Sequence, residues 1–105
     1  MPANQYSFLV VENAPDVCEG IIRRMAVFEK WKSLGFSVSV KEAIQTIEMH
    51  KPHLIFLDWS LAGGSAYDIL QAIENGKDYD PYIIFNTGFQ KNKPDIPQQI
   101  SNNYR

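Results

Sequence analysis

Asp58 stands where an apolar run, His53-Leu54-Ile55-Phe56-Leu57, gives way to a loop that contains Gly63 and Gly64. The run is entered through Lys51-Pro52 and is rich in branched and aromatic side chains, which predicts a short strand buried on both faces. A carboxylate at the end of such a strand can cap the next turn or act on a ligand. In open α/β sheets, ligands collect in the crevice outside the carboxyl ends of the strands, where loops and helix N-termini bring polar groups over an apolar floor. Two further segments end in the same way. Tyr6 to Val11 leads into Glu12-Asn13, and Tyr82 to Asn86 leads into Thr87-Gly88. Asp58 alone would read as a turn cap, and Thr87 alone as a β-branched strand residue. Their arrival together at matching strand ends argues for function.

The elements that must position these residues alternate. After the first strand, Asn13 reads as an N-cap, with Pro15 and Asp16 suited to a first helical turn. Val17, Ile21, Met25 and Phe28 recur at helical spacing as a core stripe, and Gly35 ends that segment. Phe36, Val38 and Val40 alternate with Ser37 and Ser39, the period of an edge strand with one polar face. A second helix begins near Lys41, turns Ala43, Ile44 and Ile47 inward, and closes at Pro52. Ser65 and Asp68 resemble a capping box ahead of Tyr67, Ile69, Leu70 and Ile73, and Asn75-Gly76 stops that third helix. Strands alternating with helices imply an α/β fold with a parallel sheet and right-handed crossovers. Beyond Gly88 the run from Gln90 to Pro97 holds two prolines and two lysines. Only Pro97 to Asn103 could form a short helix there, and no fifth strand is readable.

From about Tyr6 to Gly88 the chain resembles the receiver domain of bacterial two-component response regulators, which implies a flavodoxin-like doubly wound parallel sheet with strand order 2-1-3-4 and the fifth strand missing. The pieces that carry the likeness are FLVVEN with its helix-starting AP, PHLIFLDWSLAGGSAYDIL, and YIIFNTG. The middle piece is the specific one, with an Asp closing an apolar strand, a Leu and two Gly after it, then a helix opening on an Asp and two aliphatics. The resemblance implies that Asp58 takes a phosphoryl group from a phosphohistidine on a sensor histidine kinase, in a reaction that needs Mg²⁺ because an anion attacks an anion. It further implies Mg²⁺ ligands at Glu12, Asn13, Asp58 and the Ser60 main-chain carbonyl. Thr87 would meet the arriving phosphoryl group, and Gly88 would leave access open. The family's second acid is Asn13 here, so the metal site is one negative charge short. No residue matches the family's Lys: Lys93-Pro94 follows Thr87 too soon and has no strand before it. The expectation is a truncated receiver, a fragment of a longer regulator. It would be an acceptor rather than an enzyme, with at most self-phosphorylation and self-dephosphorylation. The alternative is a pseudo-receiver, a phosphorylation-independent protein-binding module.

The whole chain sets bounds on these readings. Its 105 residues allow one domain, residues 1–105, with clear βα repeats over about 6–88 and an irregular tail over 89–105. A net charge of −2 without a basic cluster argues against direct nucleic-acid binding, and no apolar stretch is long enough for a membrane span. A single cysteine, Cys18, and an amino terminus unlike a signal peptide point to the cytoplasm. Partners would then be the kinase, and an output domain or a second copy. The second of these follows from a fourth strand left as an edge, which invites self-association or cover by the tail.

Other motifs read plainly. Gly63-Gly64-Ser65 lacks the Gly-Lys-Ser/Thr ending of a phosphate loop and reads as a turn with an N-cap. His50 and His53 have ligand-like spacing, but a helix C-terminal cation and an ordinary strand residue suit them better. Trp59 is expected to be exposed beside the site. Phosphatases of the haloacid dehalogenase type place a second Asp where this chain has Ser60, and their nucleophile ends the first strand. A flavodoxin-like nucleotide binder would find its phosphate repelled by Glu12.

Overall fold

The computed structural model describes residues 5–58 and 66–85. Trp59, Ser60, the glycine loop with Ser65, Thr87, Gly88 and the tail lie outside the described residues. The described chain runs β1 (Tyr6–Val11), α1 (Pro15–Met25), β2 (Trp31–Ser37), α2 (Val40–His50), β3 (Leu54–Leu57), α3 (Ala66–Asn75) and β4 (Tyr82–Phe85). The four strands are parallel in the order β2-β1-β3-β4. This is the flavodoxin-like arrangement that the family resemblance implies, with β2 as an edge.

Pairing aligns Leu9, Ile55 and Ile83 across the sheet, and Val11, Leu57 and Phe85 beside them. Because side chains alternate between faces, these residues share one side. There Leu9, Val11, Ile55, Leu57 and Ile83 join Ala43 and Ile47 of α2 and Ile69, Leu70 and Ile73 of α3 in one buried cluster. Phe8, Val10 and Leu54 point the other way and pack with Cys18, Ile21, Ile22 and Met25 of α1. Phe8 and Phe56 meet edge to face, with ring centroids 6.0 Å apart. The central strands are thus covered on both faces, as their near-continuous apolar sequence requires.

The segment between α1 and α2 departs from its sequence reading. The helix ends at Met25 and β2 begins at Trp31, five residues before Phe36. Val38 and Ser39 follow the strand, and Val40 opens α2. The physical reason is a β-bulge: Phe8 pairs with Ser33 and Val10 with Phe36, so β2 carries one extra residue. Gly35 sits in that bulge at φ +90°, a backbone conformation that disfavours side chains, and its N–H is taken up by the Ser33 hydroxyl at 2.9 Å. It is therefore a bulge glycine and not a helix stop. A Cβ at this position would meet no atom within 4 Å, so a substitution there tests backbone conformation alone. Gly35→Ala should cost about 1–2 kcal/mol, read as a lower urea midpoint with an unchanged slope.

The α1 stripe is also rotated relative to expectation. Cys18 is buried with Ile21, Ile22 and Met25 around it, while Val17 and Phe28 are exposed at 38% and 55%. Phe28 lies beyond the helix end, so helical spacing no longer governs where it points. In α3, Ala66, Ile69, Leu70 and Ile73 face the core and Tyr67 is exposed. Ser39 caps α2 by accepting the Glu42 N–H at 3.3 Å. Lys51, at φ 48°, ends that helix in the left-handed conformation immediately before Pro52. Among the described residues no helix is long and apolar enough to cross a membrane.

Candidate functional site

The sheet register delivers the two acids to one place. Val11 pairs with Leu57, so the next residues, Glu12 and Asp58, emerge side by side at the carboxyl end of the two central strands. The ladder continues past the strands: Asp58 N–H donates to the Val11 carbonyl at 2.8 Å and Glu12 N–H to the Ser37 carbonyl at 3.0 Å. Both acids are buried, Glu12 at 6% and Asp58 at 5% exposure. Two carboxylates in such a position repel one another, and desolvation penalises each charge. The Glu12 carboxyl is accordingly held above the ordinary carboxylate range, by burial first, then by the Asp58 charge and by a hydrogen bond with Asp58. The main-chain N–H groups of Ala14 and Asn13 pull the other way without reversing the shift.

Glu12 also starts α1. The N-cap is Ala14, which makes no side-chain cap, and the Glu12 carboxylate accepts the Ala14 N–H at 3.2 Å. Asn13 is exposed next to Glu12 and does not cap the helix. The correction has a simple cause. Pro15 occupies N1, which places the cap at Ala14, one residue later than Asn13, and the longer Glu side chain folds back to the exposed N–H. An acid two residues ahead of the cap, in Glu12-Asn13-Ala14-Pro15, is the signal that could have identified this contact.

Beneath the acids lies Cys18, a buried residue with no assigned role in the sequence reading. Its thiol donates to the Glu12 carbonyl at 3.4 Å. Burial pushes the Cys18 thiol up, and the Glu12 charge adds to the shift, so at neutral pH it is an uncharged packing group. Ser37, buried at the end of β2, supplies the carbonyl that holds the Glu12 main chain. Its alternation with Phe36 gave no hint of that role.

The two carboxylates at this rim are oxygen donors and suit a hard divalent cation. A cation there would offset the repulsion between the two carboxyl groups, the same repulsion that helps raise the Glu12 carboxyl. Among the described residues no group of three His, Cys, Asp or Glu converges, so Glu12 and Asp58 would be the charged ligands. Mg²⁺ commonly keeps several waters and takes one or two carboxylates, which fits a pair. Ser60, Thr87 and Gly88, the remaining expected contributors, fall outside the described residues.

A doubly wound parallel sheet with paired acids at the ends of its first and third strands places them in the crevice where open α/β domains bind their ligands. Comparison with solved structures narrows the class to the receiver fold. A signal receiver domain from Vibrio parahaemolyticus aligns with TM-score 0.66 and 27% identity, over 77% of this chain and 60% of that one. The N-terminal domain of a response regulator receiver protein from Methanoculleus marisnigri aligns with TM-score 0.70 and 17% identity, over 92% and 75%. A third, the receiver domain of a sensor histidine kinase from Pseudomonas aeruginosa, holds a magnesium ion coordinated in its active site cleft. It aligns with TM-score 0.63 and 20% identity, over 77% and 66%. No family model matches the sequence, and no curated protein does. The chain has the receiver-domain fold of two-component response regulators and spans 60% of the length of the Vibrio domain.

Proposed function

We propose that this domain is a response-regulator receiver that accepts a phosphoryl group on Asp58 from a phosphohistidine of a sensor histidine kinase. The observation that carries the reading is the buried Glu12–Asp58 pair at adjacent strand ends. The Asp58 carboxylate oxygen forms the new O–P bond while the P–N bond of the donor histidine breaks, and the released imidazole leaves with the electron pair. The chain's part is positioning. The β1–β3 ladder fixes Asp58 at its base, and Glu12, anchored through its main chain and through Ala14 N–H, stands beside it. Mg²⁺ bound by Glu12 and Asp58, with Asn13 and the Ser60 carbonyl, would neutralise charge between the acceptor and the incoming group. Thr87 and Gly88 are proposed to receive the phosphoryl oxygens.

The domain acts as an acceptor and not as an enzyme toward other substrates, beyond modifying and unmodifying itself. A cytoplasmic setting, a kinase partner and an output domain or second copy accompany this reading. The pseudo-receiver alternative is favoured by Asn13, a neutral and exposed residue in the second acid position. Acetyl phosphate separates the two. With Mg²⁺ the protein should gain about 80 Da, the mass of one PO₃ unit, by intact mass spectrometry. Without Mg²⁺ the gain should fall sharply. A folded protein that gains nothing under either condition is a pseudo-receiver.

A further inference from the structure

At the end of the sheet opposite Asp58, the starts of the strands enclose an open cavity of about 500 Å³ that the phosphoacceptor reading leaves unused. Its size lies within the range of small-molecule sites. Its walls are aromatic. Tyr6, opening β1, lies 5.1 Å from the Trp31 ring that opens β2 and meets the His53 ring edge-on at 5.3 Å. His53 is fixed in turn, because its Nδ1 accepts the Ser7 N–H at 3.0 Å. Tyr79 is fixed as well, its hydroxyl donating to the Pro52 carbonyl at 2.6 Å. Burial pushes the Tyr79 phenol up, so it stays neutral and keeps that bond. The His53 and Tyr79 rings are therefore held in place before any ligand arrives, which limits the ordering cost of binding.

The charges around this cavity select the kind of ligand. Asp78 and Asp80 line it, and neither has an ion-pair partner among the described residues. Lys51 is the single Lys or Arg in the lining, and its ammonium stands 5.4 Å from the centroid of the Tyr79 ring instead of pairing with either acid. The wall thus already holds one cation over a ring face, and two acids remain uncompensated by a bonded partner among the described residues. Aromatic faces carry negative potential and attract weakly hydrated cations, above all when several rings share a pocket. We propose that this cavity binds a quaternary ammonium group, held by the Tyr6 and Trp31 rings with Asp78 and Asp80 supplying the counter-charge.

Amide chemical shifts of the full chain, titrated with choline and separately with its uncharged carbon isostere 3,3-dimethylbutan-1-ol, test the assignment. Choline should move the signals of Tyr6, Trp31, His53 and Tyr79 and leave those of Glu12 and Asp58 in place. The isostere should bind at least about tenfold more weakly, the size of effect that cation recognition by desolvated rings supplies. The double variant Asp78→Asn/Asp80→Asn, which alters surface acids and should keep the dispersed spectrum of the folded chain, should also lose about tenfold. A second arm uses phosphatidylcholine vesicles: co-sedimentation with the protein assigns the ammonium to a lipid headgroup, and choline shifts without co-sedimentation assign it to a free solute. Equal binding of choline and its isostere, undiminished binding by the folded double variant, or no shifts in the cavity would overturn the proposal.

Discussion

Asp58→Asn should remove the acetyl phosphate adduct completely while leaving the chain folded. The amide is close in size to the carboxylate, and the Asp58 N–H bond to the Val11 carbonyl belongs to the main chain, so the β1–β3 ladder survives. What disappears is the nucleophile, since an amide oxygen has neither the charge nor the basicity to attack phosphorus. The variant also ends the repulsion with Glu12, because Asp58 raises the Glu12 carboxyl both by its charge and by their hydrogen bond. Its thermal stability near neutral pH should equal or exceed that of the parent. An adduct that persists in Asp58→Asn would place the acceptor elsewhere. A collapse of stability would mean that the carboxylate is a structural group whose partners were needed for folding.

Glu12→Gln should separate metal binding from folding. As a ligand, Glu12 supplies one of two buried charges, and its loss should weaken Mg²⁺ affinity at least about tenfold, by analogy with the cost of disturbing coordinated sites. Fluorescence of Trp59, which follows Asp58 directly in the chain, gives a titration signal against the constant background of Trp31. For folding, the sign follows from linkage. The folded pKa of Glu12 is raised above its ordinary value of 4.5, so the folded state holds this proton more tightly than the unfolded state does. Its contribution to metal-free stability is thus greatest below pH 4.5 and declines as pH rises through the window between that value and the raised one. Glu12→Gln should flatten the decline and make the metal-free protein more stable above the window. Mg²⁺ and protons compete for the same carboxyl, so Mg²⁺ should bind the parent more tightly, and stabilise it more, as pH rises through this window. A parent whose stability climbs through the window without metal would contradict the coupling.

These two acids were legible in the sequence for a physical reason. A strand buried on both faces admits no interior polar residue, so the first acid after the apolar run marks the strand end, and parallel pairing brings such ends together. The same logic exposed β1 and β3, while the order of the sheet followed from the family resemblance. That logic was weaker at β2. An edge strand needs only one apolar face, and a bulge breaks the two-residue period at Gly35, so the alternation of Phe36, Val38 and Val40 described the way into α2 as well as the strand. The α1 stripe was misjudged where Phe28 lies past the helix end and where Cys18 occupies a core position that helical spacing left to Val17. Asn13 looked like a cap because its type favours one, but capping depends on where the first helical turn falls, and Pro15 sets that one residue later. The aromatic cavity left no sequence signature. Tyr6, Trp31, His53 and Tyr79 are far apart in the chain and meet only because four strands begin at one end of the sheet.

The central claim is that Asp58, and no other residue, carries the phosphoryl group. Borohydride reduction of the protein after treatment with acetyl phosphate and Mg²⁺ tests it most directly, because reduction converts an aspartyl phosphate to homoserine, which peptide mapping locates. The account predicts homoserine at position 58 alone, in an amount matching the adduct before reduction, and sharply less when Mg²⁺ is withheld. Homoserine at a different position, or none in a protein that remains folded, would contradict it.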